Sequence, residues 1–237
     1  MTEWKQKRFW KSATAEAAEG GWRIALDGRG VKTPAKTPLI VPSQTLAARI
    51  AAEWDAQDEV VAPLSMPFTR SANAALDKVV PQHAEVAAML ADYGDSDLLC
   101  YRADGPDGLV HRQQNTWDPL LDWAADVLGA RLSPRAGVMH APQDPAALAT
   151  LKAQTEALDA FELTAFHDLV SLSGSLIIGF AALHGAQDAN ALWQASRLDE
   201  LWQIEQWGED EEAEEVAMRK KADFDHALTF LAAHRAG

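Results

Sequence analysis

One cysteine is all this chain of 237 residues offers for thiol chemistry, so no internal disulfide framework can form. Cys100 sits in the apolar stretch Leu98-Leu99-Cys100-Tyr101, the setting of a buried small hydrophobe rather than a reactive thiol. Basic residues are also scarce: 21 lysines and arginines face 35 acids, giving a formal charge of −14. That balance argues against nucleic acid or an anionic membrane as the main partner. No stretch approaches the ~20 apolar residues needed to span a bilayer. The longest candidate, 169–183, is short and carries Ser171, Ser173, Gly174 and Ser175. The opening Met1-Thr2-Glu3-Trp4-Lys5 lacks the apolar core of a signal peptide. With no disulfides to protect, the expectation is a cytoplasmic protein without membrane insertion.

Known chemical motifs are missing too. There is no GxGxxG or GxxxxGK[ST] loop for phosphate. Ser171-Leu172-Ser173-Gly174-Ser175 does not make a GxSxG nucleophile elbow and reads instead as small residues permitting close helix packing. The seven histidines (83, 111, 140, 167, 184, 226 and 234) include no HExxH, so no metal is expected. His167-Asp168 and Asp225-His226 are helix neighbours, whose side chains should point apart. Carboxylates are plentiful but near-identical in setting, whereas acid–base catalysis needs groups whose environments differ. The chain reads as a non-enzyme without cofactor.

What the chain has in quantity is tryptophan and clustered acid. Nine tryptophans stand against two tyrosines. Most should be core staples, with one or two exposed as interface anchors. The acid peaks where Trp202-Gln203-Ile204-Glu205-Gln206-Trp207-Gly208 runs into Glu209-Asp210-Glu211-Glu212-Ala213-Glu214-Glu215. Between 188 and 217 ten acids face only Arg197, a local −9. Like charges so crowded repel and destabilise the compact state. Either the block is a solvated helix start, where carboxylates favour the macrodipole, or it meets a basic or amide-rich partner.

Periodicity sets the fold class. Trp22-Arg23-Ile24-Ala25-Leu26 alternates at period two, Asp27-Gly28-Arg29-Gly30 is a turn, and Val31-Lys32-Thr33 continues a hairpin. Segments 9–14 and 39–41 would add strands, kept short by Pro34, Pro38 and Pro42. Ser43 then caps a helix carrying Leu46, Ile50, Ala51 and Trp54 on one face. An extended linker at 60–67 is pinned by Pro63 and Pro67; Thr69 opens a helix that Pro81 interrupts, and a second piece runs to Tyr93. After the turn at 104–108 a helix spans 111–128, and 131–140 is irregular or weakly β. Further helices are expected at 145–158, 161–184, 188–207 and 209–233. The last would bury Ala213, Ala217, Phe224, Leu228 and Leu231 and pair Glu215 with Arg219. Strands first and helices afterwards predict an α+β fold, with a small N-terminal β subdomain of hairpins (1–60) packed on a larger multihelical domain (61–237). No heptad seam calls for a coiled coil, and a monomer is expected.

Three clusters mix aromatic and polar residues: Glu53-Trp54-Asp55-Ala56-Gln57, Asp97-Leu98-Leu99-Cys100-Tyr101-Arg102 and Trp117-Asp118-Pro119-Leu120-Leu121-Asp122-Trp123. Each reads as an aromatic anchor beside a cap or salt bridge, with Asp118-Pro119 as a helix start. Joined to Arg8-Phe9-Trp10-Lys11, Leu26-Asp27-Gly28-Arg29, Lys32-Thr33-Pro34, Met66-Pro67, Gly174-Ser175-Leu176 and Trp207-Gly208-Glu209, these segments are similar, in order and spacing, to one family. The chain resembles the assembly chaperones of the ATP synthase catalytic head that bind its α subunit. The likeness runs from about residue 8 to 230. With no arginine- and serine-rich transit segment ahead of the first motif, the chain looks like a bacterial member.

The resemblance implies a chaperone that holds the unassembled α subunit, prevents its aggregation and releases it on assembly with β, without using ATP. It also implies that the acid of the Trp-Gly-Glu motif, here Glu209, is functional. Partner-binding residues are therefore expected at Glu209, Trp207, Asp210, Glu211, Glu212 and Trp202. Glu209 as the cap of the last helix is the structural rival. The rival functions are an acidic adaptor for another client, a nucleic-acid mimic, and an enzyme with a histidine–carboxylate cleft.

Overall fold

The computed structural model describes residues 7–236; Trp4, the N-terminal segment read for a signal peptide, and Gly237 lie outside them. The chain forms two compact units. One takes the residues up to Gln82 together with Asp159–Ala165 and the stretch from Thr229 onward; the other takes His83–Leu158 and Phe166–Leu228.

In the first unit, β1 (Ala13–Ala18) and β2 (Gly21–Leu26) pair antiparallel with Ala15 opposite Ile24 and Glu16 opposite Arg23. β3 (Arg29–Gly30) and β4 (Ile40–Val41) share the other edge of β2. The hairpin is tighter than expected: Asp27 and Gly28, both at positive φ, form a two-residue turn, and Arg29 already pairs with Leu26. The first strand also lies further along than 9–14. Alanine and glutamate have poor strand preference, and pairing with β2 overrides it. α1 (Gln44–Asp55) starts on Ser43, whose hydroxyl accepts from the Leu46 N–H, and buries Leu46, Ala47, Ile50 and Ala51. α2 (Pro67–Ala74) begins two residues before Thr69, with Pro67 in its first turn. Its orphan amides are capped from a distance: the Glu53 carboxylate accepts from the N–H groups of Phe68 (2.7 Å) and Thr69 (2.8 Å) and from the Thr69 hydroxyl (2.7 Å).

Two of the motifs meet here. Arg8 donates to the carbonyls of Asp55, Gln57 and Lys11 and lies 5.6 Å from the Trp10 ring, while the Trp10 indole donates to the Trp54 carbonyl. The distant stretches complete the core, with Phe230 against both Phe68 and Phe161 and the Ser43 hydroxyl donating to the Ala233 carbonyl (2.7 Å).

The second unit is helical. α3 (His83–Ala91) follows a π-helical turn and a short 3-10 turn through Pro81. α4 (Asp107–Trp123) begins four residues earlier than 111 and contains Pro119 in its interior. Asp118-Pro119 is therefore not a helix start: Trp117 (1% exposed) and Leu120 are buried on either side of it, and their burial outweighs the one backbone bond that proline forgoes. β5 (Tyr101–Arg102) and β6 (Arg135–Ala136) form a minimal parallel pair, the weak β expected near 131–140. α5 (Pro145–Glu156) is capped by Asp144.

The helix expected over 161–184 is two: α6 (Ala160–Ser173), whose first residues belong to the other unit, and α7 (Leu176–His184). Ser173 and Ser175, both buried, also have hydrogen-bonding roles. Ser173 bonds back to the Leu169 carbonyl, and Ser175 caps α7 by accepting from the Ile178 N–H. The close approach is at Gly179, where a Cβ would stand 2.6 Å from Val170 Cγ2 and 3.0 Å from the Phe166 ring. Asp97, fully buried, accepts from the N–H groups of Leu99 (3.0 Å) and Ile177 (3.0 Å) and from the Ser175 hydroxyl (2.7 Å). Burial pushes its carboxyl up to about 6.

The helix expected over 188–207 also divides, at Arg197, into α8 (Ala189–Ser196) and α9 (Leu198–Trp207). α10 (Glu211–Arg235) follows. Of its expected buried stripe, Ala217, Phe224 and Leu231 are buried, Leu228 is half-buried, and Ala213 is exposed. With its main sheet first and its helices after, the chain is α+β as its pattern implied.

Candidate protein-binding site

The elbow between α9 and α10 gathers most of the residues singled out by sequence. α9 ends at Trp207, and Gly208 takes φ 92°, ψ 172°, a region open in practice only to glycine. The reversal leaves Trp207 79% exposed, the tryptophan that stands out to solvent among those described. α10 then begins on Asp210, whose carboxylate accepts from the Ala213 N–H at 2.9 Å while its carbonyl accepts from Glu214 N–H. The cap is thus Asp210, one residue beyond the position suspected. Glu209 has no side-chain hydrogen bond or ion pair among the described residues.

The six carboxylates of this region that have partners explain the remainder by contrast. Asp188 caps α8 through the Asn190 and Ala191 amides. Asp199 accepts from the Gln113 amide (2.7 Å), Glu200 pairs with Arg197 (2.7 Å) and Glu205 with Arg112 (2.9 Å). Glu215 reaches Arg219 at 3.8 Å, one turn along, as its spacing implied. Besides Glu209, only Glu211, Glu212 and Glu214 in the segment lack a side-chain partner among the described residues. Three of these four stand in the first turn of α10, where the helix dipole favours negative charge. Of the ten carboxylates three meet a cation, Arg197, Arg112 or Arg219, and those left without any side-chain partner are concentrated on the elbow.

Trp202 does not join Trp207. Its ring lies under the Arg112 guanidinium (5.4 Å) and against Gly108, where a Cβ would come within 2.8 Å, so it staples α9 to α4. Trp10, Trp117 and Trp193 are core staples. The clusters expected to be structural are so: Arg102 bonds Asp118 (2.7 Å) and covers the Trp117 ring, and the Trp117 indole donates to the Ala195 carbonyl (2.8 Å).

The histidine–carboxylate pairs are dispersed. His167 and Asp168 do touch, Nδ1 to Oδ1 at 3.0 Å, contrary to the helix-neighbour expectation; the two side chains are half exposed and free to turn toward each other. His140–Asp95 (3.3 Å) and His234–Asp159 (2.8 Å) are pairs that spacing could not reveal, their members lying far apart in sequence. Among the described residues no group of three or more histidine, cysteine or carboxylate side chains could hold a metal ion. No helix of theirs is long and apolar enough to cross a membrane.

Comparison with known proteins bears on the family and the fold. The family model described as ATP12 chaperone protein matches residues 7–125. Atp12 of Paracoccus denitrificans superposes with a TM-score of 0.95 at 50% identity, over 98% of this chain and 100% of that one. An aspartate-to-lysine variant of the same Paracoccus protein gives 0.94 at 50% identity, over 96% and 97%. The mitochondrial protein atp12 of Schizosaccharomyces pombe is 28% identical over 89% of this chain and 76% of its own length. By class the molecule is a chaperone of ATP synthase assembly. The chain belongs to the ATP12 chaperone family, as its motifs implied, and its similar solved structures include bacterial ones. The family match ends before the elbow.

Proposed function

We propose that the protein binds the unassembled α subunit of F-type ATP synthase at the α9–α10 elbow, keeps it from aggregating, and releases it when β arrives. The observation that carries this reading is Trp207, 79% exposed beside the unpaired carboxylates Glu209, Glu211 and Glu212. An exposed tryptophan supplies a large, stiff apolar anchor, and the carboxylates steer a basic partner and fix its register. An unassembled ring subunit exposes the interface that would otherwise drive its aggregation, and covering it requires no catalysis and no nucleotide. The protein acts as a cytoplasmic monomer, without enzymatic activity, nucleic acid or membrane insertion. Asp210 serves the elbow by capping α10, and Trp202 by holding α9 in place.

Co-purification with isolated α subunit, with and without β, tests the reading. The expected result is a stoichiometric complex with α alone that dissolves when β is added, and its loss in a Glu209→Lys variant of unchanged melting temperature. Failure to bind folded α would point instead to an acidic adaptor for another client. Equal binding by the variant would remove Glu209 from the site.

A further inference from the structure

α10 is firmly seated only in its later turns, where Phe224 is fully buried and packs on Trp193 (ring centroids 5.6 Å). Nearer its start Ala217 alone is buried, while Val216 (37%) and Met218 (59%) remain exposed. On each flank of this stretch runs a groove. The larger, about 680 Å³, has Leu98, Leu172, Trp193 and Val216 as apolar walls and Glu200, Asp210 and Glu212 among its polar lining. The other, about 460 Å³, shares Trp193 and Ala217 and is lined by Leu201 and Met218. Two cations also line the larger groove, Arg197 and Lys220, and Arg197 is engaged by Glu200 at 2.7 Å.

Resting on the chaperone reading above, we propose that the larger groove is a docking channel for a segment of the client that carries apolar side chains flanked by lysine or arginine. Its walls offer apolar surface that the chain itself leaves uncovered. A client's aliphatic side chains would cover Val216 and the rim of Trp193, burying a helix face otherwise left to water. Charge selects the occupant. Within the groove Glu200 is matched by Arg197 and Asp210 caps α10, leaving Glu212 and Lys220, so the pull on a basic flank comes from Glu212 together with the unpaired acids Glu209 and Glu211 at the elbow end. A second copy of this chain, at −14, is disfavoured by the same field. The elbow and the groove then form one surface. Trp207 and Glu209 meet the client at the turn, and α10 lies along the bound segment.

The test uses the full chain and purified α subunit. Val216→Gln removes the apolar wall at an exposed position without placing a cation one turn from Glu212. It should weaken α binding roughly tenfold or more, as loss of a central apolar contact does, at unchanged melting temperature. In parallel, Val216→Cys labelled with a benzophenone maleimide should photo-cross-link to an α peptide bearing apolar residues beside lysine or arginine. Lys152→Cys, on the exposed face of α5, should give only background. Wild-type affinity in Val216→Gln, or background cross-linking from Val216→Cys, while wild type still binds α and Glu209→Lys does not, would overturn the groove and leave the elbow standing. Absence of any wild-type complex would overturn both, and is read directly from the unmodified protein.

Discussion

Asp97 is a fully buried carboxylate of the second unit with three donors and no salt bridge. Desolvation outweighs the hydrogen bonds, so its folded pKa of about 6 lies above the ordinary value of 3.8. A raised carboxylate binds its proton more tightly when folded. Its contribution to stability is full below about pH 3.8 and is lost as pH rises through about 6. Between pH 5 and pH 7 this amounts to roughly 1 kcal/mol. Urea unfolding at the two pH values should therefore show a component favouring pH 5 that Asp97→Asn abolishes. That variant should itself be less stable by about 1–3 kcal/mol, because an amide turns a donor toward one of the three donors now satisfied. An unchanged pH difference in the variant would show that Asp97 titrates normally. Nearby Cys100, buried in the same place, has its thiol pushed up to about 12. Iodoacetamide at about pH 8 should leave it unmodified in the native protein and modify it fully in urea. The buried cysteine was legible from its apolar neighbours. The buried charge was not, because Asp97 in sequence is indistinguishable from a surface helix cap.

At the scale of elements, legibility followed the chemistry of the ends. Ser43 announces its helix, and the positive-φ turn at Asp27-Gly28 announces its hairpin. The missed break at Arg197 has no glycine or proline, and apolar residues continue on both sides of it. The chain turns there because Trp193 and Leu198 are each buried, a tertiary requirement that periodicity does not carry. Pro119 misled for the opposite reason, a strong local stop signal overruled by the core. The glycine joint of the elbow is legible, but the cap is Asp210, one residue beyond Glu209, and the two acids can be separated by experiment. Asp210→Ala should free the Ala213 amide, cost about 1 kcal/mol at the start of α10, and speed hydrogen exchange there about fivefold. Glu209→Ala, which removes no internal bond, should leave exchange unchanged. The converse pattern would make Glu209 the structural residue and weaken its assignment to the client.

At the scale of the whole molecule, sequence order conveys the α+β class but not the closure of the first unit. Its core depends on contacts such as Ser43 with Ala233, 190 residues apart, and on Phe230 meeting Phe68 and Phe161. No local pattern encodes a pairing at that separation. Charge, by contrast, needs no fold to be read, and it leads to a kinetic prediction. A net −14, densest around the elbow, acts at long range only while it is unscreened; the Debye length falls from about 10 Å at 0.1 M salt to about 3 Å at 1 M. If the acids steer the client, raising salt from about 0.05 M to 0.5 M should lower the association rate with α by tenfold or more and change the dissociation rate little. Trp207→Ala should do the reverse, speeding dissociation with the salt dependence of association preserved, because an apolar anchor holds the complex after encounter and exerts no long-range pull. Stopped-flow measurements on the two variables separate the roles. An association rate indifferent to salt would mean that the acid block only solubilises the start of α10, and recognition would then rest on Trp207 and the apolar walls alone.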